Sequence, residues 1–576
     1  MDRPLVVHVV AAGDAASEQL IGALTATRSL VLRPGPRGGG LPLRALPARV
    51  VVAHGEDAAS AASSIAAAIR RPWVLRRPSG DGGAPPAGCA LLLTADGTGP
   101  CDLVRRLAPA VRLEPPPATR HGVVRLDLGE PEDRIFTGEP PEIVVASPTT
   151  SASTLLQMQE RGCVVVGVAG GDRDGVLAPA LPRADDEVDV DAVLAALSAD
   201  PGAMAAHARA ARAHIVLNHE LGSIAADFDA VLRAVGAGAP VPELTQSRTA
   251  LPTVTVVMPT FRRKQLLTHA IGALTAQTYP AELVQLVVVD NGSGDDSATP
   301  ATGVAEVVTL PENAYVPDAR NAALARATGE IVAFTDDDCR PQPTWLECLV
   351  AGFRDGVGLV QGRTIPDPGQ PFPPLARSQS TPCEFGLYET ANIGYARAAL
   401  GLDSDAAPFR SDLPAELTAT LGDRFVRDPF GEDTDLGWRV RRGAFGTRFA
   451  VTATVHHEVF APDLDYLLRR ARVSAGFPLL VKRVPELRRT FLTGRVALGR
   501  HRLGIWLALL GTLHALLTRR PRGLALVLPW VWVRTRPLTP GGRRDRVRAL
   551  PAYLRVDLVE SAALVEGTVR ARSVVL

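Results

Sequence analysis

The chain has 576 residues, 46% hydrophobic and 21% charged, with 62 basic against 61 acidic side chains. This apolar content at near-zero net charge excludes a disordered chain, and six cysteines in such a length exclude a disulfide scaffold. At roughly 150 residues per domain, three or four domains are expected, each able to bury its own core.

The charge balance averages unlike segments. Gly494 to Leu550 holds twelve arginines and one acid, Asp545, while the whole chain sums to +1. Lysine occurs only at Lys264 and Lys482, so arginine number reflects composition bias and only arginine placement carries information. The cysteines are scattered, without a C-x-x-C pair, which points to reduced thiols and away from a zinc site. The amino terminus reads as a first β-strand, and no run of 18 apolar residues supports a conventional spanning helix.

Residues 1–236 alternate short β-branched runs with Ala-rich helical stretches. Val50-Val-Val, Ala90-Leu-Leu-Leu, Glu142-Ile-Val-Val and Cys163-Val-Val-Val are expected strands, and Ala58 to Arg70 and Val190 to Val235 expected helices, in an α/β unit with parallel strands. Residues 237–252, rich in Gly and Pro, read as a linker. A second α/β unit spans 253–460. A strand runs to Pro259, a helix covers about Arg263 to Gln277, a buried strand ends at Asp290, and Ile331-Val-Ala-Phe-Thr ends on Asp336-Asp337-Asp338. Pro259, Asp290 and Asp336 thus fall at carboxyl ends of strands, where open α/β sheets place their sites.

Three adjacent carboxylates after a buried strand repel one another unless a cation neutralises them. A hard divalent ion such as Mg2+ or Mn2+ takes such oxygen ligands together with substrate phosphates; an acidic turn is the plainer alternative. Asp290-Asn291-Gly-Ser293 has the composition of a turn, yet its aspartate can also accept hydrogen bonds from a base or ribose. Arg320, in an expected helix start, can reach a diphosphate. Glu432 and Asp433 open another helix, where acids are favoured by the dipole or stand ready as a catalytic base.

The order of these motifs resembles the inverting, nucleotide-sugar-dependent glycosyltransferases of family 2, with the GT-A fold, over about Thr253 to Phe460. The resemblance implies a nucleotide-facing loop at Pro259, Thr260 and Arg262, and a nucleoside-binding Asp290 flanked by Asn291 and Ser293. It implies diphosphate contacts from Arg320, Asp336 and Asp337, and a sugar and acceptor pocket lined through Asn392 and Gly394. Metal ligands would come from Asp336, Asp338 and one of His456 and His457, with Asp433 as base and Glu432 as runner-up. The implied partners are a nucleotide-sugar donor and a glycan or lipid-linked acceptor, in cell-surface polysaccharide or glycolipid synthesis; no nucleic acid is expected. A non-catalytic scaffold in a glycan-assembly complex is the alternative.

Residues 1–236 more weakly resemble the two-Rossmann GT-B glycosyltransferases. Thr149 and Gln157 stand where active members carry two donor-binding acids, which implies a catalytically silent unit. Residues 461–576 read as a basic helical segment. Its apolar runs, Leu503 to Leu517 and Gly523 to Val533, are edged by Arg and Trp. Fifteen helical residues cover about 23 Å, short of a roughly 30 Å hydrocarbon core. The expectation is a helix hairpin in an anionic interface at the cytoplasmic face of the plasma membrane, with a buried helical pair as the alternative.

Overall fold

The computed structural model describes residues 246–402, 431–536 and 543–576 with single gaps at 315 and 444, and before residue 246 mainly the strands and helices named below. The helix expected over Ala58 to Arg70, residue Thr149 and part of the 237–252 linker lie outside the described residues.

The protein is mixed α/β. In the amino-terminal region β1 (Leu5–Val10), β2 (Arg28–Leu32), β3 (Ala48–His54), β4 (Trp73–Arg76), β5 (Cys89–Thr94) and β6 (Val104–Arg106) form one parallel sheet in the order 2-1-3-4-5-6. A second parallel sheet orders β7 (Val123–Leu126), β8 (Ile143–Ala146), β9 (Val164–Val168) and β10 (Arg183–Ala184) as 10-9-8-7.

The stretch expected to be helical from Val190 to Val235 divides into three helices: α1 (Glu187–Ala199), α2 (Pro201–His219) and α3 (Leu221–Ala237). Capping chemistry makes the breaks. Asp200 accepts hydrogen bonds from Gly202 N (2.9 Å) and Ala203 N (3.0 Å) ahead of Pro201, and the Glu220 carboxylate accepts from Gly222 N (2.8 Å) and Ser223 N (2.6 Å).

These helices seat the next region. Arg212 on α2 donates to both oxygens of the buried Glu347 (2.9 and 2.7 Å) and pairs with Glu160 at 2.8 Å. Glu220 also accepts from Thr452 Oγ1 at 2.5 Å, and Ser223 Oγ donates to Ala351 O at 2.8 Å.

The central sheet has eight strands: β11 (Val254–Thr260), β12 (Val284–Asp290), β13 (Glu306–Thr309), β14 (Ile331–Thr335), β15 (Cys339–Pro341), β16 (Val357–Pro366), β17 (Asn392–Ala396) and β18 (Gly446–His457), ordered 13-12-11-14-17-16-18-15. The first four are parallel, and β17 turns the sheet antiparallel against β14. Val256, Val257, Val287, Val288 and Val332 are fully buried, which is why these segments lack the alternation of a half-exposed strand. Helices α4 (Lys264–Thr275), α5 (Val316–Leu324), α6 (Trp345–Ala351) and α7 (Glu432–Arg442) accompany the sheet.

The chain ends in α8 (Leu464–Val473), α9 (Phe477–Arg483), α10 (Arg500–Thr518), a 3-10 segment (Pro521–Val527), α11 (Leu528–Thr535) and α12 (Leu550–Ala571). The two apolar runs thus pair as a hairpin, α10 against the 3-10 segment and α11. Gly511 allows the close approach, since a side chain there would collide with the Gly523 carbonyl. Among the described residues, no helix is long and apolar enough to cross a membrane.

Because Arg212 neutralises Glu347, whose side chain is 1% exposed, Arg212→Ala strands a buried carboxylate. The expected loss is about 3 kcal/mol of unfolding free energy, read as a lower urea midpoint.

Candidate active site

The site is built where parallel strands end and the chain must turn. At the end of β14, successive carboxylates take different directions. Asp337 turns back into the structure, accepting from Thr260 Oγ1 at 2.8 Å and from Arg263 at 2.9 Å. Burial pushes its carboxyl up to about 6 despite the neighbouring Arg263. Asp336 lines a cavity of about 1370 Å³. Burial raises its pKa, Arg320 opposes the shift and Asp338 adds to it.

Asp338 lies beside β18. Its Oδ1 is 3.4 Å from His457 Nε2 and its Oδ2 accepts from Arg263 at 3.0 Å. His457 Nδ1 lies 2.8 Å from the Glu458 carbonyl. Nδ1 also lies 3.4 Å from Gln379 N and 3.1 Å from Ser378 Oγ, so these contacts fix the ring with Nε2 turned towards the carboxylate. A ring nitrogen and a carboxylate oxygen held this close are a pair that can share a cation. The Cys339 thiol also falls in this group, but burial pushes its pKa well up, so it stays protonated and is a poor ligand for a hard ion.

The second wing arrives 94 residues and more later in the chain on α7. Gly431, at φ 81°, turns the chain into the helix, and Glu432 and Asp433 occupy its first turn. Arg320, 5% exposed, spans the wings, with NH1 2.9 Å from Glu432 Oε1 and NH2 3.6 Å from Asp336 Oδ1. Burial raises the Asp433 pKa well above the carboxylate range. The Glu432 charge adds to that, Arg320 opposes it, and Glu389 raises it further.

Asn291, Arg320, Asp336, Glu432, Asp433 and His457 line one cavity, so the structure brings together these sequence-derived candidates. Others are placed elsewhere. His456 is on the opposite face of β18 and sits 3.1 Å from Gln342 Nε2, because adjacent strand residues point to opposite sides. Of the two histidines, His457 is therefore the one placed beside Asp338, and His456 is not on that side.

Asn392, expected in the sugar pocket, is 1% exposed and bonds Trp345 Nε1, the Arg363 carbonyl and the Ala453 carbonyl. Gly394 packs below Leu349 and Phe353. Their neighbours Thr390 and Ala391 line the cavity instead.

Asp290, 4% exposed, accepts from Ser293 N at 3.0 Å, and Ser293 Oγ accepts from Arg262 N at 3.0 Å. Asp290, Ser293 and Arg262 therefore close a turn behind the cavity wall, with Arg262 at φ 52°, and Asn291 is the member that reaches the wall. Pro259 and Thr260 shape the end of β11, next to the wall residue Phe261.

The sequence reading missed Glu389, Arg377 and Ser378, all in the cavity lining. Ser378 Oγ is 3.1 Å from His457 Nδ1. No motif announces these residues; they lie in connections whose position is set by distant strands.

Residues 255–407 match the family model described as Glycosyl transferase family 2. Glycosyltransferase AglE of Haloferax volcanii is 34% identical over 129 residues, 21% of this chain and 42% of its own length. An uncharacterized glycosyltransferase of Mycobacterium bovis is 33% identical over 173 residues, 28% of this chain and 76% of that protein. Among solved structures, a mannosyltransferase from Pyrobaculum calidifontis in complex with GDP-Man and Mn2+ aligns at 18% identity and TM-score 0.34, covering 60% of this chain and 96% of that one. The chain spans less than half the length of the first curated relatives it matches, 42% and 48%.

The Glu389 carboxyl is pushed up to about 6 from 4.5, chiefly by burial. The folded state then holds this proton more tightly than the unfolded chain does, so the stabilisation is full below pH 4.5 and is lost as pH rises through 6. Glu389→Gln is expected to flatten the fall of the urea midpoint across that window.

Proposed function

We propose that this chain, which belongs to glycosyl transferase family 2, moves a sugar from a nucleoside-diphosphate donor to an acceptor hydroxyl with inversion, in cell-surface polysaccharide or glycolipid synthesis. The observation that carries the reading is the meeting of Asp336 and His457 with Asp433 in one cavity, with Asp338 directly behind.

Asp336, Asp338 and His457 are the residues that would hold a divalent ion, Mg2+ or Mn2+. Bound there, the ion would offset the charge growing on the leaving diphosphate. Asn291 and Phe261 flank the donor at the ends of β12 and β11. Arg320 holds Glu432 and Asp336 in fixed relation, which occupies Glu432 and leaves Asp433 as the base. Asp433 takes the proton of the acceptor hydroxyl, whose oxygen attacks the anomeric carbon from the face opposite the diphosphate. Burial and the neighbouring Glu432 charge raise its pKa, which makes its carboxylate a stronger proton acceptor.

Residues 1–236 serve in binding or positioning rather than transfer, since Gln157 stands where the GT-B resemblance expects an acid. The carboxyl-terminal hairpin rests on an anionic bilayer, without spanning it, at the cytoplasmic face of the plasma membrane. Leu510, Leu513, Leu516, Leu517, Leu528 and Trp532 are exposed beside exposed Arg519, Arg520 and Arg522, a combination that suits apolar insertion under a negative headgroup layer. The free thiols Cys163, Cys339, Cys348 and Cys383 fit a reducing compartment.

A screen of nucleotide sugars with Mn2+ for transfer or hydrolysis tests the activity, and silence across the common donors favours the scaffold reading. Asp433→Asn is expected to lower turnover by about 10²–10⁴-fold while nucleotide affinity persists; near-native turnover removes Asp433 from the role. Co-sedimentation with phosphatidylglycerol vesicles at low salt is expected for the intact chain, weakened by salt and lost in Leu513→Glu/Leu516→Glu/Leu517→Glu; an unbound intact chain refutes membrane docking.

A further inference from the structure

The cavity that gathers the acids also contains Arg377 and Arg470. Arg320 is engaged by Glu432 and Asp336, and Arg263 by Asp337 and Asp338. Among the described residues, Arg377 and Arg470 have no carboxylate partner. Arg377 is fixed by other means. Its guanidinium carbon lies 3.8 Å from the Phe460 ring centre and 4.0 Å from that of Tyr466. The backbones of Arg377 and Phe460 exchange two hydrogen bonds, at 3.3 and 2.9 Å. Stacking holds the flat cation in place and spends none of its N–H donors, which suits a fork waiting for an oxyanion.

Arg470 follows Tyr466 by four residues on α8, so both project from the same helix face. Leu467, Phe477 and Leu480 line the same cavity and give its wall an apolar stretch. From the far side, Leu375 N donates to Tyr553 Oη at 3.1 Å, and Leu375 packs against the Ile505, Trp530 and Tyr553 cluster. The segment carrying Arg377 therefore joins the cavity to the helices that present exposed leucines.

We propose that Arg377 and Arg470 form a phosphate subsite for the acceptor, and that the acceptor is an amphiphile carrying a phosphate or diphosphate whose apolar part lies along Leu467, Phe477 and Leu480. The inference rests on the glycosyl-transfer reading and specifies its acceptor. A divalent ion held at Asp336 and Asp338 would offset the donor diphosphate, so two further cations without carboxylate partners on the same cavity suit a second anion. A phosphate bound by the stacked fork also anchors an acceptor entering from a lipid surface, leaving its hydroxyl to be presented to Asp433.

Binding can be read without turnover. Calorimetric titration of the full chain, with Mn2+ and UDP or GDP present, compares octyl phosphate below its micellar concentration with octyl glucoside and with inorganic phosphate. Octyl phosphate is expected to bind more tightly than either control. Arg377→Gln and Arg470→Gln are each expected to weaken it by about tenfold or more, while nucleotide affinity is unchanged. Arg470 is exposed, so R470Q tests the subsite even where R377Q disturbs the local fold.

Unchanged octyl phosphate affinity in R470Q overturns the proposal. Equal affinity for inorganic phosphate reduces the feature to a free-anion site and also overturns it. Loss of nucleotide binding in R470Q assigns the arginines to the donor and does the same. Failure of the transfer reading itself is distinguishable, because it shows as a wild-type chain that neither binds nor turns over any nucleotide sugar.

Discussion

The bridge made by Arg320 is the contact on which the site depends. Its guanidinium ties Glu432, on a helix that follows the sheet's first four strands by many residues, to Asp336 at the end of β14. Without a buried cation at that point, the two acidic segments would repel each other across a low-dielectric space, and the cavity between them would have no fixed width. Asp336 and Asp433 then stand in defined relation while neither spends its own carboxylate on holding the other.

The same economy appears where the triplet meets β18. Asp337 is withdrawn into bonds with Thr260 and Arg263, and Asp338 is left beside His457. One residue of the triplet thus secures the loop, which leaves Asp336 on the cavity and Asp338 beside His457. Concentrated acids of this kind are a standing destabilisation, since burial raises their pKa values and the folded state gives up favourable hydration. The well-packed sheet beneath, with Val256, Val287, Val332 and Phe334 buried, supplies the stability that tolerates it.

Much of this was readable from the residues. Continuous β-branched runs marked β11, β12 and β14, and the carboxylates following them fell at strand ends as the α/β architecture requires. The first-turn acids of α7 were equally visible. Side-chain direction was less accessible. A His-His pair on a strand must split between two faces, but only the register of β18 against β15, with His457 opposite Cys339, decides which histidine meets Asp338. Asn392 and Gly394 were misplaced for the same reason: the β14–β17 pairing turns them into the core. Arg377 and Glu389 lie in connections without periodicity, and distant partners such as Phe460 and Gln361 bring them to the cavity.

The hydrogen bond from Leu375 to Tyr553 has a bearing on how this chain can be divided. The family match stops at residue 407, yet the helix with Asp433, the strand with His457 and the ring that clamps Arg377 all come later, and one end of the Arg377 segment is pinned by a helix beginning at Leu550. Recombination or truncation at the edge of the matched segment would separate Asn291, Arg320 and Asp336 from the rest of the cavity. The unit that must be inherited together is consequently larger than the matched segment, and the terminal helices are bound to evolve in step with the cavity wall.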